Sequence, residues 1–491
     1  MAGVSKGPNA FFRLGPAART ETLAFGLMWG EITSTRFDVN YWRMSALVET
    51  RLSNSIYPLQ SLSELLLVIQ YGCSKLANVD LIGIPIIRMN NLQMNGWDFS
   101  DLKWVELSES EINTYLLKPN NLIFNRTNSK ELVGKCEVFR ELGEWVFASY
   151  LIRVQTNEDQ INPQFAADFL NAPTGRLQID QLSRQIIGMT NINAEEIKSI
   201  RIPLPSLEQQ ANFVAAMDAA RSERRAKLAE ADALLAGLDD YLLATLGLTP
   251  PPKDERKVFA IRRSTIISEG RHDPSFHHPR HTVLLRAFAA CPFEKRNLGM
   301  ISPEIVGGAT PTKGSAECYA ADGIKFFRIL NIKANEFDLS DLNYIRCDVH
   351  QGDLGRSQLA ENDVLMTITG RVGNAAVVTA DLLPANINQH IVRLRITPDD
   401  VRPHYLALFL NCSIGLALSN RWVTGGTRIA LDYGAIRALQ ILVPPLHLQD
   451  LIIAEARRRR EEARRLRIEA ETGWQTAKRW FEEQLLGPTQ P

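Results

Sequence analysis

Two long stretches of the chain carry side chains in a repeating seam of alternate steps of three and four. From 207 to 246 the seam reads Val214, Met217, Arg221, Arg224, Leu228, Ala231, Leu235, Leu238, Leu242. From 446 to 486, at a constant offset of 239, it reads Ile453, Ala456, Arg460, Ala463, Arg467, Ala470, Trp474, Ala477, Phe481. Neither stretch contains an internal proline, and both are apolar at the ends with arginine in the middle. This spacing predicts two long helices with heptad seams. A helix of about 40 residues is ~60 Å long at ~1.5 Å per residue, too long to hide its stripe in one small domain. The shared register favours the two helices packing on each other. The pairing positions are then Val214, Met217, Leu228, Leu235, Leu238 and Leu242, with Ile453, Ala456, Ala470, Trp474, Ala477 and Phe481. Separate docking of each helix on its own domain is the alternative.

Ahead of each helical stretch lie about 200 residues of short β-type runs. Runs at 84–89, 121–124 and 145–154 are answered by 326–329, 364–368 and 390–396. Turn residues such as Asn95-Gly96, Pro119-Asn120 and Glu361-Asn362-Asp363 bound them. The chain also repeats its landmarks. Arg36-Phe37-Asp38-Val39-Asn40-Tyr41 returns as Arg271-His272-Asp273-Pro274-Ser275-Phe276, at an offset of 235. Gly83-Ile84-Pro85-Ile86-Ile87-Arg88 returns as Gly323-Ile324-Lys325-Phe326-Phe327-Arg328, at 240, and Ile202-Pro203-Leu204-Pro205-Ser206-Leu207 as Ile441-Leu442-Val443-Pro444-Pro445-Leu446, at 239. A repeat this long is a duplicated domain. The predicted class is α+β, with two tandem β-rich domains, each followed by a long helix. A pseudo-two-fold relation would run the helices antiparallel. The expected boundaries are a first domain at 1–205, its helix at 206–247 and a Pro-rich linker at 248–257. A second domain at 258–445, its helix at 446–487 and a tail at 488–491 complete the chain.

Length and composition fit this picture. A chain of 491 residues exceeds one core, and 45% hydrophobic with 22% charged residues is ordinary globular usage. Fifty-five basic residues balance 55 acidic ones, which excludes a globally basic nucleic-acid coat but not a basic face. The six cysteines form no CxxC pair, so reduced thiols in a cytoplasmic protein are expected. No apolar run reaches the ~18 residues of a membrane span, and no secretory signal is visible.

Catalytic machinery is sparse. No GxxxxGK[ST] phosphate loop, HExxH or Asn-Pro-Pro-aromatic motif occurs. His277, His278 and His281 cluster, but Pro279 breaks their helical register, so a turn or surface group is favoured over a metal site. Asp180 with Glu196 and Lys198 only loosely imitates a nuclease pattern. The richer signals are strand-end loops that pair small polar residues with a cation. Asn125, Arg126, Thr127, Asn128 and Lys130 form one such loop, and Thr369, Arg371 and Asn374 form its counterpart. Arginine and asparagine reach base edges bidentately, while hydroxyls and glycine amides suit phosphates. The bland reading is that such residues simply make turns. Further candidates are Ser74, Lys75, Arg88 and Asn91 in the first copy, and Thr310, Lys313, Arg328, Asn331, Thr427 and Arg428 in the second. The dense run Arg457–Arg460 with Arg464, Arg465 and Arg467 is either a phosphate-contacting face or a solvated one balanced by Glu461 and Glu462.

The ordered set of motifs, present twice, resembles the specificity subunits of type I restriction–modification systems. The carriers are Ile202-Pro203-Leu204-Pro205-Ser206-Leu207-Glu208-Gln209-Gln210 with its echo Val443-Pro444-Pro445-Leu446-His447-Leu448-Gln449, and Asn125 to Ser129 with Leu132-Val133-Gly134-Lys135. Gly308-Ala309-Thr310-Pro311, Asn362-Asp363-Val364-Leu365 and Gly370 to Gly373 add to them. The second copy has His447-Leu448 where the family usually shows an acidic residue before glutamine, and the first copy lacks the Gly-x-Thr-Pro turn. The resemblance implies a non-catalytic subunit whose two target-recognition domains each read half of a split, asymmetric site on double-stranded DNA. It implies paired helices that set the gap and dock two methyltransferase subunits. Those partners would carry S-adenosylmethionine, and restriction subunits would add ATP- and Mg-dependent motor and nuclease activity; this chain itself would bind no cofactor. The alternatives are specificity for a methylation-only or other restriction-type system and, in a different class, a scaffold that binds no DNA.

Overall fold

The computed structural model describes residues 39–94, 96–186, 188–249, 256–311, 315–425 and 429–488. The chain divides into two compact units. One runs up to Leu228 and takes the chain up again at Arg467; the other is Ala229–Leu466. Each long helix therefore contributes to both units.

The first unit is built on a four-stranded antiparallel sheet. Its spatial order is Leu66–Tyr71, Leu151–Thr156, Leu122–Asn125, Cys136–Val138. Strand Leu122–Asn125 is buried along its whole length, because helices cover the sheet and a smaller sheet abuts it. That smaller sheet sets Val146–Phe147 parallel to Ile84–Ile87, which pairs antiparallel with Lys103–Val105. The run at 145–154 is thus two strands that belong to two sheets. Helix Pro163–Asn171 is buried from Pro163 through Leu170, and Pro173–Leu182 follows it after a sharp turn. The first of these was not visible in the sequence pattern, since a helix buried all round shows no polar face to set a 3.6-residue rhythm. Strand Arg201–Pro203, paired with Leu59–Ser61, delivers the chain to the first long helix.

The second unit repeats this plan. Its four-stranded sheet runs Ile305–Gly307, Ile391–Leu394, Val364–Thr367, Ala375–Val377. Ile324–Phe327 lies parallel to Ala385–Ile387 in the smaller sheet. Helices Pro403–Asn411 and Ser413–Trp422 occupy the places of the earlier pair, and Gln440–Val443 pairs with Glu294–Asn297 before the second long helix.

The long helices span Leu207–Thr245 and Leu446–Leu486. The start of each is stapled by one buried glutamine. The Gln210 side-chain carbonyl accepts from the Asn162 N–H at 2.7 Å, and its amide donates to the carbonyls of Gln160 (3.0 Å) and Pro205 (2.9 Å). Gln449 does the same with the Arg402 N–H (2.8 Å), Asp400 (2.7 Å) and Pro444 (2.8 Å). Backbone groups freed by the prolines and the helix start find their partners there.

Within each unit the helices run antiparallel. In the first, Phe213 meets Phe481 at 5.9 Å between ring centroids, the Arg221 guanidinium lies 6.0 Å from the Trp474 ring, and Arg224 pairs with Glu471 at 3.5 Å. In the second, Ala231 and Leu235 pack with Ala463 and Leu466, and Arg459 donates to the Gly237 carbonyl at 2.6 Å. Met217, Leu242, Ala456, Ala470, Trp474 and Phe481 are buried. Val214, Leu235, Leu238, Ile453 and Ala477 pack on the buried clusters, and Leu228 is half-buried. Arg221 is tolerated in the seam because Asp168 receives it in two bonds, at 2.6 and 3.2 Å.

Candidate nucleic-acid interface

In the first unit the central strand ends at Asn125, and the chain turns out along one edge of the sheet. Asn125 itself is buried; its side-chain oxygen accepts the Thr127 N–H, and its amide reaches the Leu132 carbonyl. Arg126 leaves the core. Its N–H donates to the Tyr150 carbonyl at 3.0 Å, its carbonyl accepts from the Ile192 N–H at 3.0 Å, and its guanidinium lies 4.7 Å over the Tyr71 ring. Thr127–Asn128 then pairs with Met189–Asn191, which pairs with Arg184–Ile186, so a small three-stranded flap borders the strand ends. The Thr127 hydroxyl is buried against the Asn191 side chain, while Asn128 is half-exposed and Lys130 exposed. Ser74 and Lys75 are exposed on the loop after Gly72. Lys75 bonds Glu111 at 2.7 Å, which with bonds from Ser108 holds the Glu111 carboxyl down at about 2.

In the second unit the strand end at Thr367 is followed by Thr369, half-buried and bridged to Ala430. Arg371 is exposed and its guanidinium meets no partner among the described residues. The Asn374 amide donates to the Ile332 carbonyl at 3.3 Å. The Thr310 hydroxyl bonds the Gln389 side chain. Lys313, Thr427 and Arg428 lie outside the described residues, as do residues 36–38 of the first landmark.

Four of the candidates hold turns. Asn91 and Asn331 are 1% exposed. Asn91 accepts the Arg88 N–H at 2.9 Å and donates to the carbonyls of Asp98 (2.9 Å) and Asp101 (3.2 Å), while Arg88 bonds the Asp101 carboxylate at 2.8 Å. Asn331 repeats this with Arg328 (2.8 Å), Asp338 (2.9 Å) and Asp341 (3.1 Å), and Arg328 bonds Asp341 at 2.8 Å. These side chains are spent inside the protein, so Arg88, Asn91, Arg328 and Asn331 are withdrawn as base readers, and buried Asn125 and Thr127 join them. Their recurrence in both copies reflects a shared turn.

The other chemistry-bearing groups are equally occupied. His277 Nε2 bonds the Arg271 carbonyl at 2.7 Å, and His278 Nδ1 accepts the Arg280 N–H at 3.2 Å. Burial, aided by Arg280, Arg421 and His278, pushes the His281 imidazole down to about 4. Among the described residues no group of three or more His, Cys, Asp or Glu is placed to hold a metal ion. Glu196 caps its own helix and pairs with Arg184 at 2.9 Å, and Lys198 pairs with Glu195 at 2.8 Å. In the basic run, Arg458 and Arg459 are taken by Glu455, Arg460 by the Asn335 carbonyl and Arg465 by Glu462, while Arg457 and Arg464 stay exposed.

The model of the type I restriction modification DNA specificity domain matches residues 74–229. This segment holds the Arg126 strand end, the flap and the stapled start of the first long helix. The specificity subunit of the type I restriction enzyme StySPI of Salmonella potsdam is 23% identical over 378 residues, covering 75% of this chain and 74% of that protein. Residues 74–229 thus match a type I restriction modification DNA specificity domain, and the chain is similar to type I specificity subunits. The EcoKI specificity subunit of Escherichia coli is 28% identical over 164 residues, 33% of this chain and 35% of that protein, so the chain spans about a third of that relative. A solved chain from a study of complex assembly and conformational transition of the type I R-M system aligns with a TM-score of 0.51 at 15% identity, over 87% of this chain and 95% of that one. At that identity the likeness speaks for the fold. Among the described residues, no helix is long and apolar enough to cross a membrane.

As a specificity-subunit fold, the chain has surface residues at its strand ends that the sequence pattern did not single out. Tyr71, Tyr150 and Met189 in the first unit and Tyr433 in the second are 40%, 49%, 45% and 46% exposed beside the loops described above. The first copy lacks the Thr-Pro of the second but places a glycine at the equivalent point. A Cβ on Gly72 would fall 2.4 Å from the carbonyls of Phe147 and Ala148, and one on Gly308 would fall 2.0 and 2.4 Å from those of Ile387 and Asn388. Gly72-Cys73-Ser74-Lys75 is therefore the counterpart of Gly308-Ala309-Thr310-Pro311, and its offset of 236 concealed it.

Proposed function

We propose that the chain is the DNA-reading subunit of a type I restriction–modification complex. Each unit reads one half of a split, asymmetric site on double-stranded DNA through its strand-end loops. The long helices set the gap between the halves and dock two methyltransferase subunits, to which restriction subunits attach. S-adenosylmethionine, ATP and Mg act on those partners, and this chain contributes no catalytic group. The observation that supports this reading best is the pairing of one repeated scaffold with two unlike exposed strand ends, Arg126 beside Tyr71 in one unit and solvent-facing Arg371 in the other. An identical scaffold presenting different side chains suits two different base sequences.

The test is a genome-wide map of methylated adenines in the source strain, compared with a strain lacking this gene. The expected result is one interrupted motif with unequal halves that disappears on deletion. An unchanged map, or loss of a single uninterrupted motif, overturns the proposal.

A further inference from the structure

One place in the fold holds an ion network in the first unit and a cavity in the second. Backbone pairing fixes the equivalence. Helix Pro163–Asn171 answers to Pro403–Asn411, and the hairpin pair Leu92 and Trp97 to Ile332 and Phe337, both at an offset of 240. The Asn171 amide donates to the Cys136 carbonyl and the Asn411 amide to that of Ala375, each at 2.7 Å. On the long helices the stapling Gln210 answers to Gln449, at 239. Gln164 thus corresponds to His404, Asp168 to Leu408, Glu137 to Ala376, Arg221 to Arg460 and Asp218 to Arg457.

In the first unit these side chains satisfy one another. Arg221 bonds Asp168 at 2.6 and 3.2 Å and Asp218 at 2.6 Å. Gln164 bonds Asp168 (3.1 Å), Glu137 (3.3 Å) and Arg140 (2.7 Å). The second unit keeps the arginine and has none of the three carboxylates. Arg460 donates to the carbonyls of Asn335 (2.8 Å) and Ala334 (3.4 Å) and forms no ion pair among the described residues. A cavity of about 310 Å³ lies against it, walled by Phe337, Val377, Leu408 and Ile453. His404 also lines the cavity, and its ring nitrogens have no hydrogen-bond partner among the described residues. So does Asn335, whose side-chain oxygen is buried without a partner. Glu336 and Glu461 reach the cavity too, but both are exposed. Burial pushes the Arg460 guanidinium down despite Glu336, and burial with Arg457 and Arg460 pushes the His404 imidazole down. A cation held partly out of water is costly until an anion joins it.

We propose that this cavity is a site for a small carboxylate with an apolar body, whose carboxylate takes on Arg460 the place that Asp168 holds on Arg221. The walls receive the apolar part, and the volume is that of a small-molecule site. Guanidinium and carboxylate match in paired hydrogen bonds, and Arg460 has N–H groups beyond the two that reach the hairpin. Arg457, where the first unit has Asp218, adds a second positive charge on the exposed side. The Asn335 amide, turned end for end, offers its N–H to the same carboxylate. The bound molecule would tie the hairpin, helix Pro403–Asn411 and the long helix together within the unit.

The test titrates hydrocinnamate into the full chain by calorimetry, with hydrocinnamamide as its neutral counterpart. One site per chain is expected, because the first unit fills the equivalent place with its own carboxylates. The amide should bind about tenfold more weakly. Leu408→Asp gives Arg460 the carboxylate that Arg221 has and should abolish hydrocinnamate binding; thermal unfolding checks its fold. Arg460→Gln keeps an N–H for the Asn335 carbonyl, should weaken binding about tenfold or more, and carries the test if the first variant unfolds. No saturable binding, equal affinity for the amide, two sites per chain, or unchanged binding in a folded variant overturns the proposal. Repeating the titration with the methyltransferase partner assembled separates two sources of the carboxylate. A free molecule still binds, whereas a partner carboxylate already seated there blocks hydrocinnamate and overturns the small-molecule assignment. None of these outcomes bears on the DNA-reading function, which the methylation map tests.

Discussion

The turn after Ile87 and the strand end after Phe124 lie in the same unit, and the duplication treated them oppositely. The turn returns in the second unit with the same four residues in the same roles: Arg88, Asn91, Asp98 and Asp101 become Arg328, Asn331, Asp338 and Asp341. The strand end returns with the same backbone hydrogen bonds and different side chains, Arg126-Thr127-Asn128-Ser129 against Ile368-Thr369-Gly370-Arg371. Side chains persisted where they satisfy buried backbone groups and diverged where they face outward. In this molecule, recurrence of a polar residue marks architecture, and divergence on a constant backbone marks the surface free to acquire specificity.

The hardest test of that contrast is to break the turn. Asn331→Ala strands the Arg328 N–H and two carbonyls of a buried site, for an expected loss of about 2–4 kcal/mol. Asn91→Ala should cost a similar amount. Urea unfolding measures both, and a methylation map should show the same recognised sequence. A changed sequence with intact stability would return these residues to the reading surface. Next in size are the strand ends. Arg126→Ala and Arg371→Ala should each cost about 1–3 kcal/mol of discrimination at one half-site only, with little change in unfolding. Equal loss at both halves would dissolve the two-reader distinction.

What was legible in the sequence follows the same division. The heptad seam could be read because a helix with one buried stripe writes its period into the sequence, and every position from Val214 to Phe481 named for pairing packs at least partly inside. The strands at 121–124 and 364–368 were readable as short apolar runs with β-branched residues between turns. Helix Pro163–Asn171 was not, because Phe165, Ala166, Ala167, Phe169 and Leu170 are all buried and leave no alternation. For the candidate loops, the strands expected ahead of them end at Asn125 and Thr367, yet asparagine suits a buried turn as well as a base edge, and composition cannot separate the two.

The smallest effect concerns a residue that only one unit has. By the landmark register, His281 corresponds to Ala46, so the second unit alone places an imidazole there. His281 is 3% exposed. Burial, with Arg280 and Arg421 near, pushes its ionisation from the ordinary 6.5 down to about 4. The folded protein therefore keeps the ring neutral at a pH where the unfolded chain takes up a proton. Stability from this group is full above about 6.5 and falls as pH drops toward 4, because the unfolded state binds more protons over that window. At pH 5.5 the loss relative to pH 7.5 is about 1 kcal/mol. His281→Leu removes the titration while keeping an apolar volume at the site. Wild type and variant followed by urea unfolding from pH 7.5 to 5 should separate progressively, the variant losing less. Parallel curves would mean that the imidazole titrates alike in both states, and the asymmetry between the two units at this position would then carry no energetic consequence.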